Sequence, residues 1–156
     1  MAQLQFRRAL ASDLPEIVAL LADDMLGRQR EDPSIPLARA YLEAFEAIDA
    51  NPDLYLMVAS EEGRTVGTLQ LIVMPGLSRK GGWRGQIEGV RIVADRRGQG
   101  LGEQLVRWAI AECRARGCIS VQLTTDRIRT DAHRFYERLG FKPTHLGYKR
   151  DLPPGA

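Results

Sequence analysis

At 156 residues, 44% hydrophobic and 27% charged, the chain is sized for a single globular domain with a real core. The 22 Lys and Arg against 20 Asp and Glu leave a formal charge of +2, too small to indicate nucleic acid as the main partner. "MAQLQFRRALASDLPEI" has no apolar stretch of signal-peptide length, and no run of about 18 apolar residues occurs, so a cytoplasmic chain with no membrane partner is expected.

The elements alternate along the chain. "LQFRRA" reads as a strand, and Ser12 offers a cap for a helix with Leu14, Ile17, Val18, Leu20 and Leu21 on one face. "DDMLGRQREDPSIP" is a charged, proline-punctuated connection of the kind that carries specificity; its Asp23, Asp24, Glu31 and Asp32 can attract a cation, and the neighbouring Arg28 and Arg30 oppose them, so the sequence leaves the sign of the field open. A helix follows Pro36 with Leu37, Tyr41, Leu42, Phe45 and Ile48. "LYLMVAS" and "TVGTLQLIVM" flank "EEGR", a hairpin turn using Gly63, and "PGLSRKGGWRG" is a long mobile loop into the strand "QIEGVRIV".

After "VADRRGQGLGEQLV" comes a helix with Leu105, Val106, Ala109, Ile110 and Cys113 on one stripe, stopped by Gly117. "CISVQLT" alternates as a strand, and "TDAHRFYERLG" is a short helix capped by Thr130, with Ala132, Phe135, Tyr136 and Leu139 on one face and Gly140 at its end. "FKPTHLGYKRDL" predicts a closing strand pair, giving one domain over 1–152 and a frayed tail at 153–156. The whole reads as α+β with a mixed sheet. Cys113 and Cys118 are expected as small reduced core residues, and they and His133 and His145 are too few for a metal site. Basic residues cluster at Arg79, Lys80 and Arg84 and at Arg91, Arg96 and Arg97; a phosphorylated small molecule and a solvated basic rim both account for them.

Gly98, Gly100 and Gly102 stand directly before a helix, where each glycine costs conformational entropy. A helix N-terminus presents unpaired N–H groups and the positive end of its dipole, and glycines let a phosphate approach the main chain, so the segment reads as a pyrophosphate cradle. It lacks the Lys-Ser/Thr ending of a nucleoside-triphosphate loop, and Glu103 stands where the dinucleotide fingerprint needs its third glycine.

The segment Arg97-Gly98-Gln99-Gly100-Leu101-Gly102 resembles the acetyl-CoA-binding motif of the Gcn5-related N-acetyltransferase (GNAT) superfamily, and "DAHRFYERLGF" is similar to that family's closing segment. The resemblance implies a mixed, mainly antiparallel central sheet flanked by helices on both faces. It implies that the amides of Gln99, Gly100, Leu101 and Gly102 hold the pyrophosphate of acetyl-CoA, with Arg97 and Gly98 at the entrance. It also implies main-chain contacts from Ile92 and Val93 to the pantetheine arm, with the thioester carbonyl near the Val93 amide. Many members carry an Asn where this chain has Arg129, so that contact is either lost or replaced by Arg129 reaching a CoA phosphate.

Transfer to an amine needs two proton movements, because an alkyl amine of pKa about 10.4 is neutral in only about one molecule in 2,500 at pH 7. Glu88 is the candidate base: it sits in an apolar strand beside Gly89, a residue type that marks bulges, and burial would suit it to the role. A solvent-facing carboxylate is the competing reading. Tyr136 is the candidate acid for the departing thiolate, against plain packing beside Phe135, and His133 is a second candidate acid. Two function classes follow: an acetyl-CoA-dependent N-acetyltransferase acting on a small-molecule amine or a protein amine, and a non-catalytic CoA-binding module. The presence of both Glu88 and Tyr136 favours the enzyme, for which a homodimer would be ordinary.

Overall fold

The computed structural model describes residues 3–155, and within them the alternating apolar segments pair into a five-stranded sheet of order β1-β2-β3-β4-β5. Strands β1 (Gln5–Arg8), β2 (Leu54–Glu61), β3 (Arg64–Met74) and β4 (Arg84–Ile92) run antiparallel in succession, and β5 (Ser120–Leu123) lies parallel to β4. The β2–β3 hairpin closes where Glu61 pairs with Arg64, and Glu62 and Gly63 both take positive φ, the two-residue loop whose twist matches that of the strands. The chain divides after Leu123 into two compact units, and the whole sheet belongs to the first.

Side-chain alternation gives the sheet two apolar faces. On one, Val58 packs with Ala9 and with Ile17 of α1 (Leu14–Ala22), and Leu21, Leu56 and Phe45 of α3 (Arg39–Asp49) close over them. On the other, Tyr55 meets Trp108 of α5 (Leu101–Ala115) at 5.0 Å between ring centres, and the wholly buried Met57 sits opposite Leu69. Helices therefore cover both faces, as expected. Two single-turn helices lie in the connections: α2 (Gly27–Arg30), unforeseen in the sequence, and α4 (Ser78–Gly81), which holds Arg79 and Lys80 at positive φ.

Close packing of α5 on β4 depends on Gly85, where an added Cβ would meet the sulfur of the buried Cys113 at 2.2 Å. Gly85→Ala is expected to destabilise the fold by about 1–3 kcal/mol through overpacking. Cys113→Ala in the same chain should recover part of that loss, measured by urea denaturation of the two single variants and the double variant.

The structure corrects several expectations. Ser12 caps nothing; it lies in a 3-10 turn (Ala11–Asp13), and the Asp13 carboxylate accepts from the Leu10 amide at 2.7 Å and from both Arg7 terminal nitrogens. The hydrogen bond from Arg7 holds the Asp13 carboxyl below the usual carboxylate range. In the second unit, α6 (Thr130–Arg138) starts on Thr130 itself, with Arg129 at the cap position and no side-chain cap bond. The closing strand pair is absent: among the described residues nothing after β5 is a strand. Pro143 offers no amide to a ladder, and Leu146, Tyr148 and Leu152 remain exposed, so no burial rewards pairing there. The tail expected at 153–156 ends on Ala156, outside the described residues. Cys118 is half-buried instead of a core residue.

Candidate active site

Strand β4 carries the first part of the site because its pairing changes midway. Opposite β3 the register steps from Thr68–Arg91 to Gln70–Glu88, so Gly89 and Val90 together face Leu69. This is a bulge, with Gly89 at φ 59°, as the glycine in the strand predicts. On the other side the β5 ladder ends where Ile87 pairs with Leu123, which leaves the Glu88–Ile92 edge without a strand partner among the described residues. Along that edge, beside the bulge, no ladder is made, and the Val90 carbonyl accepts from Arg91 Nη1 at 2.9 Å.

The Val93 amide donates to the Val66 carbonyl at 3.0 Å, which corrects the expectation that it faces a thioester carbonyl. Alternation then turns the Ile92 main chain the opposite way, toward the open edge, where its carbonyl accepts from Arg97 Nε at 3.1 Å. The Ile92 side chain packs toward Gly67 of β3, half-buried.

The glycine segment follows a 3-10 turn (Ala94–Arg96). Gly98 (φ 74°) and Gly100 (φ 79°) are left-handed, and Gly100 is the N-cap of α5 with no side chain capping the helix. The first intrahelical bond is Gln104 N–H to the Gly100 carbonyl at 3.2 Å, so the amides of Leu101, Gly102 and Glu103 have no intrahelical acceptor. A Cβ added at Gly98 or Gly100 would meet nothing within 4 Å, so the space before the helix is open to a ligand. Leu101 is buried and anchors the first turn, while Gln99 and Gly100 are exposed. These residues fit a pyrophosphate: unpaired donors, the positive dipole end and no side chain in the approach.

Side chains around the segment act as struts. Gln99 Nε2 donates to the Asp95 carbonyl at 2.9 Å, and its Oε1 accepts from Arg96 Nε at 3.0 Å. Arg96 pairs with Glu61, Arg64 with Asp95, and Arg97 with Asp23 at 2.8 Å. Arg97 thus ties the cradle to the connection after α1. No spacing in the sequence reveals these pairs, because Arg97 and Asp23 are 74 residues apart and Arg96 and Glu61 are 35 apart.

Asp23 and Asp24 of the 23–32 connection are already held by arginines and so are not free to attract a cation, contrary to expectation. Asp23 holds Arg97, Asp24 holds Arg91 and the Gly27 amide, Glu31 accepts from the Tyr41 hydroxyl at 2.9 Å, and Asp32 accepts from the Ser34 amide. Arg28 and Arg30 of α2 are exposed, and no acid pairs with either among the described residues. Arg79 and Lys80 are likewise exposed without an ion pair.

Glu88 is exposed on β4, which corrects its expected burial. Alternation sends Ile87 into the core and Glu88 to the opposite face, where it accepts from Gln86 Nε2 at 3.0 Å, and Gln86 in turn accepts from Gln122.

The other candidate residues belong to the second unit. Tyr136 is half-buried on α6, edge-on to Phe135 (5.0 Å) and Phe141 (5.9 Å). His133 Nε2 lies 2.9 Å from the Asp126 carbonyl, and the Arg129 amide donates to that same carbonyl at 3.0 Å. The structure thus gathers the cradle, Ile92 and Glu88 in one unit and Tyr136, His133 and Arg129 in the other. Among the described residues no cluster of three or more His, Cys, Asp or Glu is placed to hold a metal, and no helix is long and apolar enough to cross a membrane.

Residues 16–141 match the acetyltransferase (GNAT) family. The chain is 30% identical over 148 residues to an aminoalkylphosphonate N-acetyltransferase from Salmonella typhimurium, covering 95% of this chain and 91% of that one. A crystal structure described as a transcriptional regulator from Bacillus halodurans is 47% identical with a TM-score of 0.94, covering 96% of this chain and 100% of that one. A putative acetyltransferase from Agrobacterium tumefaciens is 33% identical with a TM-score of 0.83, covering 95% and 99%. With the family match spanning most of its length and landing on the glycine cradle, the bulged strand and the closing helix, the chain belongs to the GNAT acetyltransferase family.

Proposed function

We propose that this chain transfers an acetyl group from acetyl-CoA to the primary amine of a small molecule that also carries a phosphonate or phosphate group. The observation that supports it most is the uncapped N-terminus of α5 behind Gly98 and Gly100, at the end of a strand whose Glu88–Ile92 edge is open. In this reading the Gly100–Gly102 amides and that of Gln99 bind the pyrophosphate, Arg97 and Gly98 shape the entrance, and the outward main chain of Ile92 guides the pantetheine arm, with Val93 holding the strand end to β3. Arg129 meets a CoA phosphate in the same reading.

The amine nitrogen attacks the thioester carbonyl carbon, a C–N bond forms, and the C–S bond breaks. Glu88, exposed beside the bulge, accepts the amine proton through water, and Tyr136 protonates the leaving thiolate, whose basicity a phenol of pKa about 10 matches. The acceptor class rests on the exposed Arg28 and Arg30, with which no acid pairs among the described residues, on Asp23 and Asp24 being held by Arg97 and Arg91, and on the acceptor named for the Salmonella relative.

The test is an amine panel followed by thiol release from acetyl-CoA. Aminoalkylphosphonates should be turned over with kcat/KM at least about tenfold above the matching alkylamines, one charge-assisted contact being worth about 1.5–3 kcal/mol. Equal rates on both would discard the acceptor class, and no release with any amine would discard the transferase. The Bacillus halodurans protein's description favours a second reading, a CoA-responsive binding module, which predicts acetyl-CoA binding without thiol release.

Glu88→Gln should lower the rate by about 10²-fold at neutral pH, with the defect shrinking as pH rises and the acceptor amine loses its proton unaided. A pH–rate profile of both proteins checks this, and a defect constant at every pH removes Glu88 from the role of base.

A further inference from the structure

The two cysteines lie at the opposite end of α5 from the cradle, about 18 Å along the helix from Leu101, and the proposed transferase chemistry makes no use of them. Their placement follows from how the helix stops. Gly117 is left-handed (φ 74°), its amide donates to the Arg114 carbonyl at 3.0 Å, and the Cys118 amide donates to the Cys113 carbonyl at 2.9 Å. This pair of bonds is a Schellman ending, which brings the side chains of its first and last residues into contact, usually as an apolar pair. Here both are thiols, Cys113 on the last turns of the helix and Cys118 directly after its glycine stop.

The two sulfurs differ in access. Cys113 is 1% exposed, its sulfur pressed over Gly85 of β4, whereas Cys118 is half-buried. Both line an open groove of about 180 Å3 beside Arg114 and Ile119. A small reagent can therefore reach Cys118 first, and the other thiol that lines the same groove is that of Cys113.

We propose that Cys113 and Cys118 form a dithiol site that a low-molecular-weight disulfide oxidises to an internal disulfide, stapling the end of α5 to the start of β5. The Cys118 thiolate attacks one sulfur of the small disulfide and expels the first small thiolate, leaving a mixed disulfide on Cys118. The Cys113 sulfur then attacks the Cys118 sulfur, the S–S bond to the small molecule breaks, and the Cys113 proton leaves with the second small thiol. The protein loses two electrons and two protons, and the small disulfide becomes two thiols. Burial, then the neighbouring Cys118, pushes the Cys113 thiol up to about 12, so Cys113 is not the sulfur of first attack, and its own step is intramolecular.

The test incubates the full chain with glutathione disulfide under native conditions, following intact mass, free thiols and circular dichroism. Wild type should lose two hydrogens of mass and both free thiols while keeping its native spectrum. Cys118→Ser should acquire neither disulfide nor adduct. Cys113→Ala should stop at one glutathione adduct on Cys118, a result that does not depend on closure chemistry. A wild-type adduct that never closes, an intermolecular disulfide, two unreactive thiols, or closure only after the native spectrum is lost would each overturn the proposal.

Discussion

Gly100→Asp should abolish acetyl-CoA binding while the protein stays folded. The residue is the N-cap of α5 at φ 79°, a conformation Asp tolerates better than most side chains, and nothing lies within 4 Å of the added Cβ. What changes is charge: a carboxylate about 4 Å from a phosphate oxygen costs about 4 kcal/mol at the effective dielectric of a protein surface, close to a thousandfold in affinity. Gly100→Asn is the control, since it adds the same bulk without the charge and should lose far less. Calorimetry on both variants, with circular dichroism for the fold, separates the two effects. Unchanged affinity in a folded Gly100→Asp protein removes the cradle from this segment.

Tyr136→Phe should lower kcat by about 10²–10⁴-fold and leave the acetyl-CoA KM nearly unchanged. The substitution keeps the ring that stands edge-on to Phe135 and Phe141, so stability should change little. A general acid acts as charge develops on sulfur, which is why the loss belongs in kcat. Wild-type kcat in the variant would make the phenol a packing residue and turn attention to His133, whose ring nitrogen is 2.9 Å from the Asp126 carbonyl.

Local signals carried much of this fold. Gly63 and Gly117 sit where their turns need positive φ, Gly89 marks a real bulge, and the apolar stripe of α5 faces the sheet through Leu105 and Cys113. Each depends on a few neighbouring residues, so spacing alone reveals it. The failures are long-range. The Arg97–Asp23 pair joins segments 74 residues apart, and no local pattern distinguishes it from two solvated charges. The exposure of Glu88 follows from which face of β4 meets α5, a property of the assembled sheet. Phe141–Leu152 has strand-like spacing, yet its Leu146, Tyr148 and Leu152 stay exposed, so pairing would bring no burial, and Pro143 interrupts it. The capping error at Ser12 has the same cause: Asp13 is chosen because Arg7 of β1 is there to meet it.

The most direct measurement of the proposed activity follows a labelled acetyl group. Incubated with carbonyl-labelled acetyl-CoA and an aminoalkylphosphonate, the protein should produce labelled N-acetyl amine in equal amount to free CoA, as read by mass spectrometry. Free CoA with only labelled acetate, or neither product from a chain that still binds acetyl-CoA, would contradict transfer to an amine.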